Sequence, residues 1–279
     1  DQALADRALA ALAWPARGAQ GAAEVLLACG AWRRHMLPAA RRMERDGLWH
    51  TFPDDVRDEA ERMRAAPPPD ADEAIRADLR HLRVYCIDDE HTDEVDDGVS
   101  LEAIDGGRTR VWVHVADATR HLPADAGSLL LGEAQRRAST LYLPGDTVHM
   151  FPRSLAAGPM SLRVGTDCAA LSIGMEFDEG GELLEERTVV TASVVVPSYQ
   201  LTYDDADELL HFAPEEEAGL VGLKDVAWRR RAMRYAAGAL PLAQAGIAVE
   251  VGDWYYDEAD DLQVDVRARS LGLGGCASR

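Results

Sequence analysis

The residues most able to do chemistry are crowded into one stretch, Asp88 to Ser100, which reads Asp-Asp-Glu-His-Thr-Asp-Glu-Val-Asp-Asp-Gly-Val-Ser. It holds seven carboxylates and no cation other than a protonated His91. Like charges at this density repel one another, and a chain tolerates them when the loop is fully solvated or when a bound cation neutralises them. A solvated acidic loop is the plain reading of such a run. An EF-hand calcium loop is another: with Gly98 at its sixth, turn-forming position, Val95 falls at the third and Ile104 at the twelfth, where carboxylates are needed, so that reading fails. An acidic helix cap fits poorly with the β-branched Val84, Ile87, Val95 and Val99. Bound metal is the sharper reading of the run as a whole, and one further pattern within it is Asp88, then Glu94, Asp96 and Asp97 at six, eight and nine residues further on.

Such a set has to be held by its neighbours. Strand patterns run over Leu82 to Ile87, Thr109 to Ala116, Ala169 to Phe177 and Leu183 to Val196, the last ending at Pro197. Helical patterns fall at Leu130 to Arg137, Tyr203 to Leu210 and Glu216 to Ala245, and two more strands, Ala248 to Tyr256 and Leu262 to Val266, follow. Strands mixed with helices in no regular βαβ rhythm predict an α+β domain. Ahead of it, apolar residues at three- and four-residue steps between Leu4 and Trp49 predict several short helices of helix-turn-helix type, and a further helix runs from Asp54 to Ala66. The expected organisation is a helical module over 1–66, a linker over 67–76 opened by Pro67-Pro68-Pro69-Asp70-Ala71-Asp72, and the α+β region over 77–279.

The chain has 279 residues, a net charge of −20 and a hydrophobic fraction of 47%, enough for a large core. The negative charge argues against a nucleic-acid partner, yet it is unevenly spread: residues 1 to 64 hold ten arginines against ten carboxylates. Arg33, Arg34, Arg41, Arg42 and Arg45 crowd into thirteen residues and are candidate phosphate contacts, although such a face is more often merely solvated. Cys29, Cys86, Cys168 and Cys276 have no paired spacing, which suggests neither a zinc site nor a disulfide framework. No apolar run approaches membrane-span length and no signal segment opens the chain, so the expected location is cytoplasmic.

The acidic stretch, with Asp-Leu-Arg-His-Leu-Arg-Val-Tyr-Cys-Ile before it, resembles the catalytic signature of the ribonuclease II/R family, the RNB domain. Val111-Trp112-Val113-His114-Val115-Ala116-Asp117 resembles that family's strand ending in His-(Ile/Val)-Ala-Asp. Ser139-Thr140-Leu141-Tyr142-Leu143-Pro144-Gly145 is similar to its Ser-x-Tyr-Leu-Pro segment. Phe151-Pro152, Leu155, Met160-Ser161-Leu162 and Leu201-Thr202-Tyr203-Asp204 match further elements in order. Glu94 stands where most members have Asp, and Gly98 where many have Ala, as in a cyanobacterial and plastid-like branch.

The resemblance implies an exoribonuclease that removes 5′-mononucleotides processively from the 3′ end of single-stranded RNA, in RNA turnover. It implies catalytic and metal-binding roles for Asp88, Glu94, Asp96 and Asp97 with Mg2+, or Mn2+ in its place. Tyr142 and Tyr203 would contact bases, and His114 and Asp117 would support the acidic loop. Family members continue past the position of Val266 with a second half of the domain, which carries an arginine, and then usually with an S1 barrel; these are expected beyond this chain, as partners of what it holds. Gly272-Leu273-Gly274-Gly275 resembles nothing in the family. The rival reading is an inactive or regulatory RNA-binding relative of the same fold.

Overall fold

A computed structural model of the chain describes residues 7, 9–13, 15, 18–31, 51–90, 92–122, 127–143 and 146–240, with 246–256 and 262–271 as backbone. The described residues fall into two compact units. One takes those up to 54 with 134–150 and 249–267, and the other takes 55–133, 151–248 and the remainder.

In the first unit, helix α1 (Gly18–Ala28) is the described part of the N-terminal module. Arg33, Arg34, Arg41 and Arg42 lie outside the described residues, as does most of the expected helix-turn-helix. A short hairpin pairs Leu141–Leu143 with Asp146–Val148. Beside it the Arg137 guanidinium lies 3.7 Å over the Phe52 ring and donates to the carbonyls of Thr51 and His149, at 2.8 and 2.9 Å. Gly246–Tyr256 and Leu262–Leu271 pair as a two-stranded sheet.

The second unit contains most of helix α2 (Asp54–Ala65) and is built on a seven-stranded sheet. Its strands are β1 (Ala77–Asp78), β2 (Val84–Asp88), β3 (Asp97–Ile104), β4 (Arg108–Ala116), β7 (Cys168–Met175), β8 (Val189–Val195) and β9 (Pro197–Thr202), where β5 and β6 are the two short strands of the first unit. The spatial order is β1-β8-β7-β4-β3-β2-β9, with β1 parallel to β8, β2 parallel to β9 and the other neighbours antiparallel. The sheet mixed with helices makes this an α+β fold, as the sequence predicts.

Period-two alternation gives the sheet two different faces. One carries Val84, Cys86, Trp112, Ala170 and Val195 into a core completed by Leu82, Val95 and Leu162. Through the same face runs a row of fully buried polar side chains, one from each of four adjacent strands. Ser100 Oγ lies 2.9 Å from His114 Nε2, His114 Nδ1 lies 2.7 Å from Ser172 Oγ, and that hydroxyl lies 2.6 Å from Ser193 Oγ. Each group has a partner, so the row costs little while fixing the register of β3, β4, β7 and β8. Burial pushes the His114 imidazole down to about 4, so it sits there neutral.

On the opposite face, α6 (Ala218–Ala236) packs on β2 and β3; α3 (Leu129–Arg137), α4 (Arg153–Ala156) and α5 (Tyr203–Phe212) precede it in the chain. Glycines let α6 approach: a Cβ on Gly222 would come within 2.4 Å of Leu101. The helix start is tied down by Glu217, buried to 5% exposure, whose carboxylate accepts from Tyr85 Oη at 2.5 Å, Tyr199 Oη at 2.7 Å and Arg83 Nη1 at 2.9 Å. Residues 67–76 are held as well. Arg76, its side chain 2% exposed, pairs with Asp70 at 2.6 Å and Asp117 at 2.7 Å, and Arg120 donates to the Pro68 carbonyl.

Candidate active site

Two strands bring Asp88 and Asp97 to the same end of the sheet, and Glu94 and Asp96 lie in the connection between them. Asp88 is the last residue of β2, and Asp97 is the first of β3, its antiparallel neighbour. The connection between them is anchored at its middle. Val95 is 3% exposed, its N–H donates to Ser161 Oγ at 3.1 Å, and its carbonyl accepts from Leu162 N–H at 2.8 Å. The carbonyl of Asp96 accepts from Ala116 N–H at 2.8 Å, and Asp93 pairs with Arg153 at 2.6 Å. One apolar residue in an acidic run is thus the pin that fixes the backbone on both sides of it.

The electrostatics record the convergence. Burial, then the charge of Asp97, raises the Asp88 carboxyl above the ordinary range. Partial desolvation, then Glu94, Asp97 and Asp88 in that order, raises Asp96. Beneath them the fully buried Cys86 thiol is pushed up to about 12, by burial first and then by Asp88 and Asp97. A Cβ at Gly98 would come within 2.8 Å of Val84 Cγ1 and 3.1 Å of Cys86 Sγ, so glycine lets β3 close down on β2 directly behind the carboxylates.

A divalent cation fits these residues. Asp88 Oδ2 is buried with no hydrogen-bond partner, and a buried anionic oxygen left unsatisfied calls for a positive partner. All four candidate ligands are carboxylates, the donor type that hard cations prefer. Among the described residues no three His, Cys, Asp or Glu side chains stand as a ready-made cage.

Tyr203 opens α5, directly after the β9 residue Thr202 that pairs with Asp88, and is 54% exposed at this acidic end of the sheet. Thr202 Oγ1 accepts from Asp205 N–H while Asp205 accepts from Thr202 N–H, a capping box that fixes where the helix and Tyr203 begin. Tyr142 is 72% exposed on the short hairpin of the other unit. His114 serves the buried polar row, and Asp117 pairs with Arg76 and caps a 3-10 turn over Ala118–His121. Sequence reasoning missed Ser161 and Arg153 as holders of the acidic loop; the visible signal was Val95, too apolar for a solvated run.

The model of the RNB domain matches residues 76–270. An uncharacterised ribonuclease of the cyanobacterium Synechocystis is 40% identical over 228 residues, covering 81% of this chain and 33% of that protein. The chloroplastic/mitochondrial ribonuclease II of Arabidopsis thaliana is 42% identical over 171 residues, covering 61% of this chain and 21% of that protein. The apo form of Mycoplasma genitalium RNase R superposes with a TM-score of 0.63 at 20% identity, covering 82% of this chain and 35% of that one, a likeness of fold. The chain spans about a third or less of the length of these relatives. With the acidic site, the sheet and the family's own pattern all falling inside residues 76–270, the chain belongs to the RNB domain family.

Proposed function

We propose that this chain carries the acidic half of the active site of a Mg2+-dependent exoribonuclease that processively removes 5′-mononucleotides from the 3′ end of single-stranded RNA. The observation that carries the reading is the buried, partnerless Asp88 Oδ2, in a loop where burial and then neighbouring carboxylates raise Asp88 and Asp96 above the ordinary range. Asp88, Glu94, Asp96 and Asp97 would hold the cation, which supplies charge neutralisation at the scissile phosphodiester and a hydroxide at neutral pH. The chain's own part is positioning. The clamp on Val95 holds the backbone of Glu94 and Asp96, and the β2–β3 pairing holds Asp88 beside Asp97, so little of the site must reorganise when RNA arrives. Tyr203 offers an exposed ring to a base at the same end, a contact indifferent to sequence; Tyr142 is a second such ring on the strength of the resemblance.

The resemblance places a charge-stabilising arginine outside residues 1–279, so this segment alone is expected to turn over little RNA. Supplying the remaining half, covalently or as a second chain, restores activity. The test is 5′-labelled single-stranded RNA in Mg2+ or chelator. Shortening from the 3′ end in Mg2+ alone supports the reading. Retained RNA binding with no shortening under any condition replaces it with the non-hydrolytic relative.

A further inference from the structure

Helix α6 carries an unusual patch for so acidic a chain. Residues 224–235 include Lys224, the chain's single lysine, with Arg229, Arg230, Arg231 and Arg234, against Asp225 as their one carboxylate, a local charge of +4 where the whole is −20. The inner face of the helix is used up. Gly219 and Gly222 lie against Tyr85 and Leu101, and Val226 is buried. Arg229 and Arg230 donate to the carbonyls of Asp178 and Gly181, and Arg230 lies over the Phe177 ring.

The opposite face repeats at steps of four, three and four residues: Lys224, Trp228, Arg231, Tyr235. Cation and aromatic alternate there along about 16 Å of helix. Trp228 is 43% exposed and Tyr235 39%. Arg231 sits between them, 5.4 Å from the Trp228 ring centre and 5.3 Å from that of Tyr235, with its Nε donating to Tyr235 Oη at 2.8 Å. Favourable placement at the helix C-terminus accounts for the arginines alone. It does not account for two large rings left in water and held by a guanidinium between them.

We propose that the Lys224–Trp228–Arg231–Tyr235 stripe is a second binding surface for single-stranded RNA, separate from the acidic site. The argument is charge complementarity joined to stacking: a flexible polyanion with a flat base at every residue is the partner that matches alternating cations and rings. The helix starts beside Tyr85 and passes Leu101 toward the Phe177–Gly181 turn, so the stripe lies toward the end of the sheet remote from Asp88 and Asp97. It would therefore hold a stretch of the strand that is not at the carboxylates. This rests on the proposed RNA substrate.

The experiment is fluorescence anisotropy of labelled oligo(A) of about 20 nucleotides with residues 1–279, in chelator so that nothing is cut. Trp228→Ala with Tyr235→Ala should weaken binding roughly tenfold or more, while Trp228→Phe with Tyr235→Phe retains most of it. Lys224→Gln with Arg231→Gln should flatten the dependence of log affinity on log salt by about 1.4, two phosphate contacts on a single strand. Circular dichroism and melting temperature should stay at the wild-type values, since all four side chains lie on the outer face. Equal affinity and salt slope in all variants, or no RNA binding by the wild type, overturns the proposal. Mg2+-dependent shortening by the chain completed with the remaining half, with a silent stripe, sinks only the stripe, and weakened binding by the variants with no shortening by that completed enzyme sinks only the nuclease reading.

Discussion

Asp88→Asn separates the cost of the acidic site from its purpose. In the metal-free protein Asp88 Oδ2 is buried without a partner and close enough to Asp97 to feel its charge. An unsatisfied buried polar group costs about 1–3 kcal/mol, more when charged. Asparagine keeps the shape and removes the charge, so in chelator the variant should be more stable than wild type by about 1 kcal/mol, or ~2–4 °C in Tm for a chain of this size. Mg2+ should reverse the order. At a concentration about 100 times its Kd, a ligand that binds only the folded state adds about 2.7 kcal/mol, so wild type should gain roughly 5–10 °C and the variant little. Differential scanning fluorimetry in chelator and across a Mg2+ titration measures both arms. An Asn variant that melts lower in chelator, or gains as much from Mg2+ as wild type, would refute the reasoning.

Asp96→Asn and Asp97→Asn should abolish hydrolysis in the complete enzyme while RNA binding persists or strengthens, because an amide cannot hold the cation yet no longer repels phosphate; wild-type turnover by both would remove the metal assignment. His114 gives a pH signature: its buried ring refuses a proton that the unfolded chain accepts from the ordinary value of 6.5 downward. Its contribution is therefore whole above pH 6.5 and is lost as pH falls toward 4, at about 1.4 kcal/mol per pH unit and roughly 3 kcal/mol in all. Urea unfolding of His114→Gln should show an acid limb shallower by that amount, and parallel limbs would contradict it. Gly98→Ala should cost about 1–3 kcal/mol by pressing its methyl on Val84, and Val84→Ala in the same chain should recover part of it, a coupling read from a double-mutant cycle in urea.

The strands legible in the sequence were those with clean alternation. Thr109 to Ala116 and Ala169 to Phe177 match β4 and β7 closely, because their alternate residues enter a core. β3 was hidden. Of its core-face positions, Gly98 is kept small by the approach of β2 and Ser100 is given to the polar row, so the only apolar alternation, Val99, Leu101 and Ala103, belongs to the face under α6 and is broken up by the acidic run before it. β9 was hidden by Pro197, which reads as a stop; as the first residue of an edge strand it loses no ladder hydrogen bond. The run read as a strand from Leu183 holds a 3-10 turn at Glu185–Arg187, and its strand begins at Val189. The long helix ends at Ala236, where Gly238 with φ +96° follows, well before the expected Ala245. In the site, the carboxylate spacing was legible. The clamp on Val95 and the partnerless oxygen were not, since both depend on neighbours more than sixty residues away or on the lack of one.

The net charge weighed most against RNA, and the placement of charge answers it. A folded chain meets a polyanion through its local field, and salt shortens the reach of any field to about 10 Å at 0.1 M, so distant carboxylates count for little where the strand touches. Two of the carboxylates elsewhere are spent internally. Glu176, 3% exposed, is shared by Arg108, Arg110 and Arg187, and Glu217 is enclosed by Arg83 and two tyrosines. The acidic loop differs from these two, because its negative charge is concentrated and partly unpaired, and on the proposed reading it becomes attractive to phosphate only when a cation occupies it. RNA affinity measured at fixed ionic strength should therefore rise when Mg2+ replaces an equivalent of monovalent salt, in wild type but not in a chain with Asp96→Asn and Asp97→Asn together. An equal response of the two proteins would mean that the cation acts on the RNA and not on the loop.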